Sequence, residues 1–222
     1  GNVRLRDFSP GQTIPSPVRL GLAWDVTNGV NIDLDASAIC LDSDLNLVDR
    51  IWFRQLKSLD NAIHHHGDER EGDAIGDDET IDLRLDQVSS KIQYIGFCIN
   101  SYSGQELDDV SRASCHLFDP VNPQLDLCSY ALTNASHIDG HTALVLGCLY
   151  RGGPSPGDWC LCIISEAAQG RTVDDNVDEL QNYLRKSPPQ VPEEEFEIVV
   201  EPEMPKRVPL VDEEIDLSAP MK

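Results

Sequence analysis

The chain has 222 residues and carries 39 Asp and Glu against 17 Lys and Arg, a formal charge of −22. That balance excludes nucleic acid as a natural partner, because phosphate binding takes clustered basic side chains. No run approaches the ~20 apolar residues that cross a bilayer. With no basic-then-apolar leader at Gly1-Asn2-Val3, the chain reads as a cytoplasmic protein without a transmembrane segment.

Short apolar or alternating runs recur from the start: residues 18–24, 34–41, 51–53, 80–85, 92–99, 113–118, 127–132, 142–150 and 159–164. Turn residues separate them, which predicts an all-β antiparallel sandwich of two packed sheets. Several runs, such as 143–149, are apolar on both faces and suit central strands covered on both sides. The first run ends at Trp24-Asp25, and the second opens with Asp33 and Asp35, two residues apart and so on one strand face. Like charges that close disfavour each other's ionised forms unless a cation or donor neutralises them.

Asp42-Ser43-Asp44-Leu45-Asn46 begins like a calcium-binding helix-loop-helix motif, but Phe53 stands where its bidentate Glu belongs. A turn between strands is the simpler reading. His64-His65-His66 follows; on a strand such neighbours alternate faces, so at most two imidazoles converge, and a histidine cluster without metal is the plainer expectation.

The stretch Gly67-Asp68-Glu69-Arg70-Glu71-Gly72-Asp73-Ala74-Ile75-Gly76-Asp77-Asp78-Glu79 is the densest charge feature, with seven carboxylates in thirteen residues and three glycines. Charge runs usually only solvate a surface, yet this one joins at once a strictly alternating strand. Glycines let the backbone fold tightly enough to aim carboxylates at one hard cation such as calcium. Together with Asp25, Asp33 and Asp35, two acidic clusters can share or divide two metal sites.

Seven cysteines lie mostly within apolar runs and read as small buried hydrophobes in a reducing compartment. No CxxC occurs, so structural zinc lacks support; Cys160 and Cys162 share one strand face but leave two ligands missing. No nucleophile elbow appears, and residues 152–157 are too proline-rich to cradle phosphate.

Near the end Val173, Val177, Leu180 and Leu184 fall on one helical face. Thr172 is placed to cap with Asp175, and Arg185-Lys186 close the last turn. One C-terminal amphipathic helix is expected, completing a domain over 1–186. Residues 187–222 hold ten acids against three bases among many prolines, the composition of a disordered tail or linker. Its pieces at 196–200 and 213–217 have the look of short docking motifs.

In order and spacing these features resemble the TerD family, the tellurium-resistance and stress-response domains. The match is carried by Gly1-Asn2-Val3-Arg4-Leu5, Leu20-Gly21-Leu22-Ala23-Trp24-Asp25, Asp33-Leu34-Asp35-Ala36-Ser37-Ala38, the acidic loop, Leu149-Tyr150-Arg151 and Trp159. The resemblance covers residues 1 to 186 and implies a calcium-binding β-sandwich with two neighbouring Ca2+ sites and no established catalysis. By position, Asp68, Asp77, Asp78 and Glu79 match the loop signature, and Asp25, Asp33 and Asp35 the strand cluster. Four residues depart from the family pattern. Glu69 stands for the usual Asn and Ala74 for a glycine, which bears on affinity at one site. Asn100 stands for a common His and Asp108 for a common Gly, which bears on any shared partner surface. A start at this family's first strand without Met suggests an excised sequence.

The expectation is a non-enzymatic calcium-binding stress-response module whose metal-ordered acidic face recruits an unidentified protein partner. The alternatives are a metal-dependent hydrolase using the same carboxylates, for which no convincing base can be named, and a metal-free acidic interaction module.

Overall fold

The computed structural model describes residues 1–25, 33–67, 77–131, 138–153, 155 and 157–193. Asp68, Glu69, Ala74 and the tail pieces at 196–200 and 213–217 lie outside the described residues.

Among the described residues, eleven strands follow one another: β1 Asn2–Arg4, β2 Val18–Asp25, β3 Leu34–Leu41, β4 Leu47–Ile51, β5 Ile63–His65, β6 Glu79–Leu83, β7 Tyr94–Ser101, β8 Ser111–Asp119, β9 Asn122–Ala131, β10 Ala143–Arg151 and β11 Trp159–Ala168. They pair antiparallel into a six-stranded sheet, β1-β11-β10-β7-β3-β4, and a five-stranded sheet, β5-β6-β2-β8-β9. The expected sandwich is the observed one. β1 and β5, three residues each, are too short to show a period; the family resemblance alone pointed to a first strand at the start, and β5 lay outside the expected runs. β4 lies earlier than the 51–53 run because Trp52 and Phe53 belong to the turn after it.

The inward faces build one core. Leu20, Leu22 and Trp24 of β2 meet Ala36, Ala38 and Cys40 of β3, Phe97 and Ile99 of β7, and Leu144 and Leu149 of β10. The six-stranded sheet is apolar on its outer face too, where Ile39, Leu41, Cys98, Val145, Cys148, Cys160 and Cys162 form a second core. Helix α1, Val177–Lys186, covers that face with Leu180 and Leu184, preceded by a 3-10 turn over Val173–Asn176. Thr172 and Asp175 form the expected capping box. A helix thus explains why β3, β7 and β10 read as apolar on both sides. Among the described residues no helix covers the five-stranded sheet, whose outer face carries Arg19, Asp82 and His116.

α1 is seated through one bare position. A Cβ on Gly96 of β7 would lie 2.3 Å from Cδ2 of Leu180, so only glycine lets the helix approach this closely.

All seven cysteines are free thiols, and burial pushes Cys98 and Cys115 up to about 12. They are inert core residues.

The compact unit runs from Gly1 to Pro192. After α1 the chain returns over the six-stranded sheet: the Tyr150 hydroxyl donates to Gln190 O at 2.8 Å, and the Arg4 guanidinium donates to Pro192 O. No described helix is long and apolar enough to cross a membrane.

Candidate metal centre

Three of the acidic segments meet at one end of the sandwich. β2 finishes there at Asp25, β3 begins after Asp33, and β6 begins at Glu79, which pairs in register with Leu22. Asp78 prolongs the ladder: its N–H donates to Leu22 O at 2.8 Å, and its Oδ2 accepts the N–H of Trp24 at 2.8 Å.

Glu79 holds the two sheets together. β4 pairs with β3 only from Ala38 to Leu41, which leaves the edge of β3 at Ala36 to be satisfied otherwise. The Ala36 N–H donates to Glu79 Oε2 at 2.7 Å, and Ala36 O lies 3.1 Å from His65 Nε2. Nδ1 of His65 accepts the Gly67 N–H at 3.1 Å, so the network assigns the ring proton to Nε2, which donates to Ala36 O. Two side chains of one sheet thereby replace a missing strand of the other. Glu79 and His65 are 1% and 0% exposed, so both depend on these bonds for the solvation that burial removes.

Asp77 lies elsewhere, on the outer face of the five-stranded sheet. Its Oδ1 and Oδ2 stand 2.9 and 3.1 Å from Nε2 of His116, whose Nδ1 meets Asp126 Oδ1 at 2.7 Å. A Cβ on Gly21 would lie 2.2 Å from Asp77 Oδ2, so the carboxylate rests on bare backbone. The bond to Asp77, opposed by burial and aided by Asp126, raises His116 to about 9, making it an imidazolium at neutral pH.

Asp35 stands opposite Asn100 in register and alternates with Ala36, which places it on the helix-covered face with Ile39 and Leu41. Asn100 is fully buried, and its Nδ2 donates to Asn176 Oδ1 at 2.5 Å, beneath the 3-10 turn. The departure from the family pattern at this position is therefore interior and alters no surface.

Asp25, Asp33, Asp78 and Glu79 thus gather at one end, with Asp35 on the adjoining outer face and Asp77 at His116. Asp68 lies outside the described residues. Among the described residues, no three His, Cys, Asp or Glu side chains converge on one metal position. Oxygens of Asp25, Asp33, Asp35 and Glu79 are nevertheless closed off from solvent. Sequence reasoning missed His65 and His116. The first had a signal, since alternation from Ile63 sends His65 inward; the second had none beyond lying between Cys115 and Leu117.

Two packed antiparallel sheets with carboxylates at one end define a class of acidic β-sandwich domain. The TerD domain model matches residues 1–174, and the chain belongs to the TerD family. It is 34% identical over 171 residues to the tellurium resistance protein TerZ of Serratia marcescens, covering 72% of this chain and 84% of that one. It is 33% identical to TerD of the same organism over 179 residues, covering 77% and 88%. The stress response protein SCP2 of Bacillus subtilis is 28% identical over 189 residues, covering 76% and 92%. Among solved structures, a homologue of the telluride resistance protein TerD from Streptomyces coelicolor shares the fold with a TM-score of 0.60 at 19% identity, covering 70% of this chain and 92% of that one.

Proposed function

We propose that this chain is a calcium-binding, non-enzymatic stress-response module of the cytoplasm whose metal-ordered acidic face recruits a protein partner. The observation that supports it most is the enclosure of carboxylate oxygens from Asp25 of β2, Asp33 just before β3, Asp35 of β3 and Glu79 of β6, at the end where the acidic loop joins β6. Burying charge costs free energy that a cation offsets, and a donor set of oxygens suits calcium rather than zinc or copper. The residues present fit the ion in that chemical sense.

Asp25, Asp33, Asp35, Asp68, Asp78 and Glu79 are the residues that would hold calcium, in two sites, and Asp77 would join them by exchanging its bond to His116 for the ion. Bound calcium would neutralise the carboxylates and order the loop. Glu79 and Asp78 fix the strand ends from which the loop departs, through their bonds to Ala36 and Trp24. His65 anchors the other end through the Gly67 N–H.

The reading as non-enzymatic draws on the two histidines nearest these carboxylates. Both ring nitrogens of His65 and of His116 are engaged, which leaves neither poised as a general base. Calorimetric titration of chelator-treated chain with calcium tests the proposal: saturable heat that weakens in Asp33→Asn and Asp78→Asn supports it, and heat unchanged by both substitutions contradicts it.

A further inference from the structure

We propose that His64 and His66 form a chelating site for a divalent late transition-metal ion of the zinc, nickel or copper class, on the edge of the five-stranded sheet and separate from the oxygen cluster. β5 is the terminal strand of that sheet, and the short segment 56–58 pairs with its outer edge through the Ser58 N–H to Ile63 O and the His65 N–H to Leu56 O. Alternation turns His65 inward and leaves His64 and His66 on the solvent side, with ring centroids 4.6 Å apart and planes inclined by 42°. A tetrahedral ion with bonds of about 2.0 to 2.1 Å needs its two nitrogens only about 3.3 Å apart, within reach of small side-chain rotations from this spacing.

One ring is already oriented as a metal ligand requires. Nε2 of His66 lies 2.9 Å from Oδ2 of Asp82, and Asp82 is held in turn by Arg19 through contacts of 2.6 and 2.9 Å. An ionised Asp82 accepts the Nε2 proton and leaves the lone pair of His66 on Nδ1, facing away from the protein anchor. A carboxylate behind an imidazole is the arrangement that orients ligating histidines in metal sites.

Among the described residues, Lys57, which pairs with His64 in an isolated bridge, and Arg84 and Arg19 stand near the two rings together with Asp82. Imidazole donors favour zinc, nickel and copper over calcium and magnesium, which prefer oxygen. Among the described residues, no third protein ligand converges on the pair.

The test is titration of the full chain, prepared without a histidine tag and with calcium in excess, using nickel or copper ion alone as probe. Saturable binding of one ion per chain is expected. It should vanish in His64→Gln and in His66→Gln and weaken by about tenfold or more in Asp82→Asn. Neither histidine is buried, so thermal melting should confirm that the first two variants stay folded, and the copper spectrum should show two nitrogen donors. Absence of saturable binding, binding unchanged in the double histidine variant, or a copper spectrum without imidazole nitrogen overturns the proposal. Excess calcium keeps this result independent of the oxygen cluster.

Discussion

Nε2 of His116 lies 2.9 Å from Oδ1 of Asp77, and the carboxylate rests on the bare backbone of Gly21. The end of the acidic loop is thereby fastened to β8 by an ion pair rather than left to solvent. Because the folded state raises His116 from 6.5 to about 9, its contribution is fully present below pH 6.5 and is lost as pH rises through about 9. Partial exposure and solvent screening reduce it to roughly 1 kcal/mol. Melting of chelator-treated chain should therefore fall between those limits, and His116→Gln should flatten that fall; an equally steep fall in the variant contradicts the assignment.

Arg151 organises the opposite end of the sandwich. Its guanidinium donates to Ile92 O and Val88 O at 2.8 Å and to Ser89 O at 3.2 Å, while its carbon lies 4.6 Å from the Trp159 ring centre. Lysine keeps the charge but cannot span three carbonyls or lie flat on the indole. Arg151→Lys should cost about 2 to 3 kcal/mol in urea unfolding. A loss within error would show that the fork is dispensable.

The sequence made the central strands legible because their patterns are long. β3 fell on its expected residues, and β2, β7 and β10 came within two at each end. β5 escaped, and β1 showed only through the family resemblance, because tertiary pairing, not local periodicity, makes three residues a strand. At the acidic end, Glu79 and Asp78 could be named as a pair, but not their bonds to Ala36 and Trp24, which depend on where β4 stops. Asp77 looked equivalent to its neighbours. Only the register Gly21 to His116 shows that it faces outward.

The contact between Gly96 and Leu180 sets how α1 docks. Gly96→Ala should force Leu180 aside and cost about 1 to 3 kcal/mol, and Leu180→Ala should cost about 2 to 5 kcal/mol. Combined, the two should cost clearly less than their sum, because the cavity of one accepts the methyl of the other. Strict additivity in denaturant unfolding would contradict direct packing.

Residues 187–192 belong to the folded unit, anchored by Tyr150 at Gln190 and Arg4 at Pro192. A chain cut after Lys186 should melt lower than one cut after Pro192. Tyr150→Phe should remove about 1 kcal/mol, the worth of one hydrogen bond. Equal melting of the two truncations would place the boundary back at 186.

Calcium dependence of the melting temperature bears most directly on the role assigned to the acidic end. Ligand that binds only the folded state stabilises it by about 2.7 kcal/mol at a hundredfold excess over Kd. Chelator-treated chain should melt several degrees higher on addition of millimolar calcium, with the gain reduced in Asp25→Asn and Asp33→Asn. Identical melting with calcium and with chelator, accompanied by no heat of titration, would contradict the account.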